Sequence, residues 1–392
     1  MNRLRSGWQR LRPSWRWALI TWLGVRLFIS AWAAISFALA PVESPWKGDP
    51  WFDAMAAKAF PHEDQTSELL WGIWLRWDVG WFMKVATYGY AADDNSVAFP
   101  PLYPLATRVL GRLLGGEYLL AGMLISNAAC VVGMALLYEL VEVEYTPAVA
   151  RRTILYLAVF PSAFYLLVPY SEALFLCLVL VAISAMRRRC WAAAGISAFV
   201  AALTRTTGWV LALPVAYEAL ADAGWQLRRA WRGLLASLGG PLGLLAYMLY
   251  LRLQQMPSFT EAYHQGWGTS IAAPWASLTL AVQALWTGTA STTDILNTAA
   301  LLLSVVLFVA SLRVVRASYW LYTLGMLVLL AMAYRTHVQL ESVARYVLVL
   351  FPNFIVLGLW GRNRWIGACI VVVSLILQMV LTALFVHWIW VA

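Results

Sequence analysis

Residues 17–40 read WALITWLGVRLFISAWAAISFALA, twenty-four positions with a single charge, Arg26. A helix needs about 20 apolar residues to cross the hydrocarbon core of a bilayer. This run is therefore long enough to span. It is also longer than the roughly 7–15 residues of a secretory signal h-region, so it is read as a retained span.

Outward from this run the same pattern repeats to the end of the chain. Further spans are expected at 117–140, 151–169, 171–186, 190–206, 208–223, 233–251, 295–312, 317–334, 344–360 and 365–390. Several of these are shorter than a usual crossing. Adjacent short spans meet at Pro169 and Gly208. Such breaks suggest helices that dip around a cavity, because non-helical backbone at membrane depth needs cover from protein or water.

Composition agrees. Hydrophobic residues make up 62% of the 392 residues and charged residues 12%, against about 25% charged in a soluble domain. The fold class expected is an all-α polytopic membrane protein of about eleven transmembrane helices. Residues 1–392 form one transmembrane unit, and no internal repeat is visible.

The net charge of +9 does not point to nucleic acid, because the basic residues sit in short clusters between apolar runs. Of the 28, 17 fall in the connections that begin with the N-terminal segment and recur after every second span. Ten fall in the longer, alternate connections, and Arg26 lies within a span. The positive-inside rule then predicts a cytoplasmic N-terminus. The segments 41–116 and 252–294 fall on the extracytoplasmic side, and long segments of this kind in a compact bundle are usually functional. The 275–287 stretch is apolar but too short to cross, and is placed in the membrane interface. The four cysteines, Cys130, Cys177, Cys190 and Cys369, lie in or beside apolar runs and show neither a disulfide framework nor a zinc pattern.

The stretch 71–90, WGIWLRWDVGWFMKVATYGY, carries the first chemistry. Drawn as one helix, it places Trp71, Trp74, Leu75, Phe82 and Val85 on one face, with Asp78 in their midst. Arg76, Gly80, Lys84 and Thr87 lie opposite. A carboxylate on an apolar face is costly without a partner or a task. Either Asp78 pairs with an arginine such as Arg76 and holds the helix in place, or it takes part in a reaction. Asp49 and Asp53 are a weaker candidate for a metal or an alternative base.

Residues 98–105, AFPPLYPL, hold three prolines that forbid a continuous helix and predict an extended corner. Residues 160–172, FPSAFYLLVPYSE, bring Tyr170, Ser171 and Glu172 to the mouth of a tight helix pair. Ionisable groups at membrane depth are functional candidates; the plainer reading has Ser171 capping the next helix and Glu172 favouring its N-terminus. Arg205, Arg335, His337 and Arg345 share that side. Guanidinium groups there suit an anionic headgroup, although arginines at helix ends also snorkel. Arg26 is expected to pair with a buried carboxylate or carbonyl.

Five strings, RWDVGWFMKVATYGY, AFPPLYPL, FPSAFYLLVPYSEALFL, LTRTTGW and ESVARYVLVLFP, resemble in order the motifs of one family. It is the PIG-V type of mannosyltransferase, which adds the second mannose to GPI anchors, with its prokaryotic relatives. The resemblance runs over about 70–355. It implies a GT-C type membrane glycosyltransferase with a large first extracytoplasmic loop containing amphipathic helices. It also implies a polyprenyl-phosphate-mannose donor, a lipid-linked or glycolipid acceptor, inversion at the sugar and no obligatory cofactor. Asp78 of the Arg-Trp-Asp motif becomes the catalytic base by this analogy. Arg76, Trp77, Tyr170, Glu172, Arg205, His337, Arg345 and Tyr346 form the expected substrate-binding set. The short, cysteine-free outer segments point to a prokaryotic plasma membrane. Rival readings are a transporter or flippase of a lipid-linked sugar, a GT-C transferase of another sugar, and a non-catalytic subunit.

Overall fold

The computed structural model describes residues 11–62, 64–335, 340 and 342–392. The chain runs through α1 (Pro13–Leu39), α2 (Pro50–Ala59), α3 (Gln65–Leu70), α4 (Asp78–Thr87), α5 (Leu102–Leu113) and α6 (Tyr118–Glu144). It continues through α7 (Pro147–Val159), α8 (Glu172–Arg187), α9 (Trp191–Thr204), α10 (Ala212–Asp222), α11 (Leu227–Ser237) and α12 (Gly239–Leu253). Then follow α13 (Phe259–Trp267), α14 (Pro274–Thr287), α15 (Thr292–Ser311), α16 (Ala317–Met332), α17 (Val343–Tyr346), α18 (Phe351–Trp360) and α19 (Arg364–Val386). Two short strands, β1 (Ser270–Ile271) and β2 (Ala333–Tyr334), pair antiparallel.

The helix starts follow local chemistry. Thr146 caps α7 by accepting from the Val149 amide, with Pro147 in the first turn where no amide donor is needed. Ser291 and Asp294 form a reciprocal capping box on α15. Asn363 caps α19.

Length and composition mark five helical stretches able to cross a bilayer: α1, α6, the continuous run Leu227–Leu253 over α11 and α12, α15 and α19. The protein is thus an integral membrane protein. A sixth candidate is the pair Val343–Val349 and Phe351–Trp360, which is bent by 79° and so departs from the straight span expected over 344–360. The spans expected at 151–169, 171–186, 190–206, 208–223 and 317–334 contain the shorter helices α7, α8, α9, α10 and α16, of 13, 16, 14, 11 and 16 residues. Tight 3-10 turns at Ala163–Leu166 and Thr206–Leu211 occupy the missing lengths. Pro161 and Pro169 break the first of these regions, since proline removes an amide donor.

Small residues set the packing where helix backbones meet. A Cβ on Gly239 would lie 2.1 Å from the Gly195 carbonyl oxygen, so α12 touches α9 backbone to backbone. A Cβ on Gly208 would fall 2.5 Å from the Ala202 amide nitrogen. That contact folds the turn after Arg205 tightly against α9.

Two local expectations are corrected. The stretch 71–90 is not one helix: Gly72–Trp74 is a 3-10 turn, the chain breaks, and α4 begins at Asp78. Asp78 therefore stands at a helix start rather than amid an apolar face. Three prolines do not keep 98–105 extended either. Only Phe99–Pro101 forms the corner; Pro104 sits in the first turn of α5, where a missing amide costs no intrahelical bond.

Candidate active site

The break before α4 is made by Trp77, whose φ of 53° and ψ of −126° are unusual for a bulky residue. The Val79 amide donates to the Arg76 carbonyl at 3.1 Å, closing a tight turn over Trp77 and Asp78. Such a conformation costs of order 1–3 kcal/mol and persists only where surroundings enforce it. Here they are aromatic: the Trp77 ring lies 6.0 Å from Trp46, 5.6 Å from Trp388 and 5.4 Å from Trp390. The turn sends Arg76 and Asp78 in different directions and puts Asp78 at the positive end of α4, which favours a carboxylate.

Arg76 goes away from the site. Its guanidinium donates to the carbonyls of Gly72 at 3.0 Å, Leu75 at 3.2 Å and Val386 at 3.1 Å, and lies over the Trp388 ring. It forms part of the wall of a cavity of about 400 Å³ between the end of α1 and α2. A second cavity of about 440 Å³ lies by Tyr145, Arg152 and Arg362. Asp78 lines neither.

Asp78 meets Arg345 instead of Arg76. Arg345 Nη1 donates to Asp78 Oδ2 at 2.5 Å, and its Nε lies 3.2 Å from Glu172 Oε1 without hydrogen-bond geometry. Arg205 Nη1 donates to the same Glu172 oxygen at 2.5 Å and to Ser171 Oγ at 3.3 Å. Four residues distant in sequence thus form one alternating row: Arg205, Glu172, Arg345, Asp78. Two cations face two carboxylates, and the row is neutral as drawn. The Glu172 side chain is 0% exposed and that of Arg345 6%, whereas Asp78 keeps 18%. Both ends of the row, Asp78 at 18% and Arg205 at 14%, are partly open, while the middle is closed.

Aromatic rings enclose Arg345. Its guanidinium carbon lies 5.0 Å from the Tyr346 ring, 5.3 Å from Tyr170, 5.7 Å from Tyr165 and 5.6 Å from Trp390. Arg205 sits over Tyr346 at 4.4 Å. Cation–π contacts of this kind stabilise a desolvated guanidinium. The hydroxyls of Tyr165 and Tyr170 and Oε2 of Glu172 are buried without a hydrogen-bond partner. Ser171 precedes α8 but its hydroxyl does not cap the helix; it receives Arg205.

Of the expected set, Asp78, Tyr170, Glu172, Arg205, Arg345 and Tyr346 come together here, with Trp77 forming the turn that aims Asp78. Arg76 does not join them, and His337 lies outside the described residues. Asp53 Oδ2 accepts from the Gly48 amide at 3.0 Å, which closes a turn before α2. Among the described residues no three His, Cys, Asp or Glu side chains gather as a metal site. Arg26 donates to the Leu167 carbonyl at 3.0 Å, at the edge of the tight turn that carries Tyr165. Within 41–116, Lys84 Nζ lies 2.6 Å from Asp94 Oδ2. Burial alone would raise the Asp94 carboxyl. The Lys84 ammonium and the donors of Ser96 outweigh it and hold the carboxyl below its ordinary range.

Tyr165 and Trp390 were not singled out from the sequence. Tyr165 lies inside a quoted motif but is one of several aromatics in it. Trp390 ends the last apolar run, where tryptophan reads as an interfacial anchor.

Part of the site falls within a segment that matches a family model. Residues 36–225, which hold Asp78, Glu172 and Arg205, match the family model described as Mannosyltransferase (PIG-V). Over 191 residues the chain is 32% identical to GPI alpha-1,6-mannosyltransferase 2 of Rattus norvegicus, covering 45% of this chain and 35% of that protein. The same protein of Mus musculus matches with the same identity and coverage. The match thus spans about a third of the length of these relatives. Among solved structures, ArnT from Cupriavidus metallidurans bound to undecaprenyl phosphate superposes with a TM-score of 0.49 at 13% identity, covering 94% of this chain and 76% of that one. The Archaeoglobus fulgidus oligosaccharyltransferase tethered with an acceptor peptide gives 0.41 at 12% identity, covering 94% and 54%.

Proposed function

We propose that the protein is a membrane glycosyltransferase that moves mannose from a polyprenyl-phosphate donor to a hydroxyl of a lipid-linked or glycolipid acceptor. The observation that carries this reading is the Arg205–Glu172–Arg345–Asp78 row, most of which lies in the segment that matches the PIG-V model. A carboxylate at a helix start, partly open and paired with an arginine whose other side faces a second carboxylate–arginine pair, suits a reaction in which a proton leaves one group as an anion forms on another.

Asp78 accepts the proton of the acceptor hydroxyl as its oxygen attacks the anomeric carbon. The attack comes opposite the lipid phosphate, so the sugar inverts. The leaving phosphate is already a good leaving group. The protein's task is alignment and neutralisation of its charge, which Arg345 and Arg205 supply through planar, bidentate forks. Tyr170 and Tyr346 wall the arginines, and Trp77 fixes the aim of Asp78.

The proposed topology has eleven crossings, counting the short helices and the bent α17–α18 pair. It has a cytoplasmic N-terminus, and 41–116 and 252–294 share the opposite side. The arginine asymmetry supports this orientation. Contact between the two segments agrees with it: the Trp81 and Trp267 rings are 6.0 Å apart, and Phe99 and Trp267 are 5.8 Å apart.

The test is consumption of polyprenyl-phosphate mannose by purified protein in detergent supplied with a glycolipid acceptor, with release of polyprenyl phosphate and appearance of mannose on the acceptor. An enzyme turns the donor over there. A transporter, with no second compartment to fill, leaves it intact.

A further inference from the structure

Arg345 is held by the same carboxylate that is the proposed base. Its Nη1 donates to Asp78 at 2.5 Å, and its Nε faces Glu172 at 3.2 Å. Its Nη2 reaches Ser342 Oγ at 3.4 Å and the Tyr346 hydroxyl at 3.3 Å. Asp78 and Glu172 together balance Arg345 and Arg205, so no cationic charge in the row is left over for a phosphate. A donor phosphodiester carries one negative charge, and after the sugar leaves, the phosphate can carry two.

We infer that Asp78 and the lipid phosphate compete for Arg345, and that proton uptake by Asp78 hands the guanidinium over to the leaving phosphate. The inference rests on the glycosyltransferase reading above. The step balances as follows. The acceptor O–H proton passes to an Asp78 oxygen, and the freed electron pair forms the new bond to the anomeric carbon. The bond from that carbon to the phosphate oxygen breaks, and its electron pair stays on the phosphate. Asp78 becomes neutral as the phosphate gains its second charge. Arg345 then loses its reason to stay with Asp78 at the moment a stronger anion appears. Glu172 stays beside the Nε edge of the guanidinium, so the handover needs the planar group to swing about its side-chain torsions rather than movement of the helix. Arg345 is in this view a positioning residue for the base before transfer and a phosphate ligand after it.

The same competition appears without turnover. Asp78→Asn imitates the protonated carboxyl and removes the competing charge, so the protein should bind product more tightly than the wild type does. Removing a charged competitor for one guanidinium hydrogen bond should raise the affinity about tenfold or more in Kd. The experiment measures the Kd of undecaprenyl phosphate for the full chain in detergent, in the wild type and in Asp78→Asn, Asp78→Ser, Arg345→Gln, Arg205→Gln and Asp78→Asn/Arg345→Gln. The expected result is tighter binding in both Asp78 variants, loss of that gain in the double variant, and weaker binding in Arg205→Gln. A purely structural ion pair would make the Asp78 variants bind less well, through misfolding, or equally well. Equal or weaker binding in both Asp78 variants, with Arg205→Gln still weakened, overturns the handover and leaves the phosphate site standing. Unchanged Kd in Arg205→Gln and Arg345→Gln alike overturns the phosphate site and the handover together.

Discussion

Arg205 Nη1 holds Glu172 Oε1 at 2.5 Å, and the carboxylate it holds has no solvent exposure at all. Breaking a buried ion pair by removing one charge commonly costs about 3–5 kcal/mol, because the remaining charge is stranded. Glu172 serves two arginines; Glu172→Gln strands the charge of Arg205 and leaves Arg345 with Asp78 alone. We expect Glu172→Gln to lower the melting temperature in detergent by several degrees, with Glu172→Asp falling between it and the wild type. A thermal-shift series checks this. An unshifted Glu172→Gln would mean that the pair contributes nothing to the fold.

The arginines differ from lysines in geometry rather than in charge. Arg345→Lys and Arg205→Lys keep the cation and lose the planar fork. Each should weaken undecaprenyl phosphate binding by about tenfold, the loss of one charged hydrogen bond, while size-exclusion profiles stay monodisperse. Wild-type affinity in both lysine variants would return the two arginines to a packing role.

Residues 60 and 265 sit in the segments 41–116 and 252–294, which the proposed topology places on one side, and the rings of Trp81 and Trp267 join those segments. Single cysteines at 60 and 265, in a background lacking Cys130, Cys177, Cys190 and Cys369, should both react with a membrane-impermeant thiol reagent in intact cells. Reaction at one alone would break the proposed topology.

Much of this was legible from the sequence. Apolar length and arginine clustering marked the membrane class, and the long helices α1, α6 and α19 lie near the runs that predicted them. The short helices were less legible. Their ends are set by 3-10 turns at Ala163–Leu166 and Thr206–Leu211, whose backbone bonds leave no trace in hydropathy. Asp78, Glu172, Arg205 and Arg345 stood out because charge in an apolar chain is rare. Their pairing did not, because Asp78 and Arg345 are 267 positions apart and only the tertiary fold joins them. The nearby Arg76 was the natural guess as partner. It was displaced by Trp77, whose left-handed backbone no periodicity argument anticipates.

The central claim is that Asp78 takes the acceptor's proton. Asp78→Asn keeps the size of the side chain and removes the acceptor of the proton. Because Arg345 keeps Glu172 as a partner, most of the protein should remain folded, and rates are compared per folded molecule. The direct measurement is single-turnover mannosyl transfer from polyprenyl-phosphate mannose, with donor binding measured on the same preparation. The account predicts transfer slowed about 10²–10⁴-fold while the donor still binds. Transfer by Asp78→Asn at near the wild-type rate would contradict it.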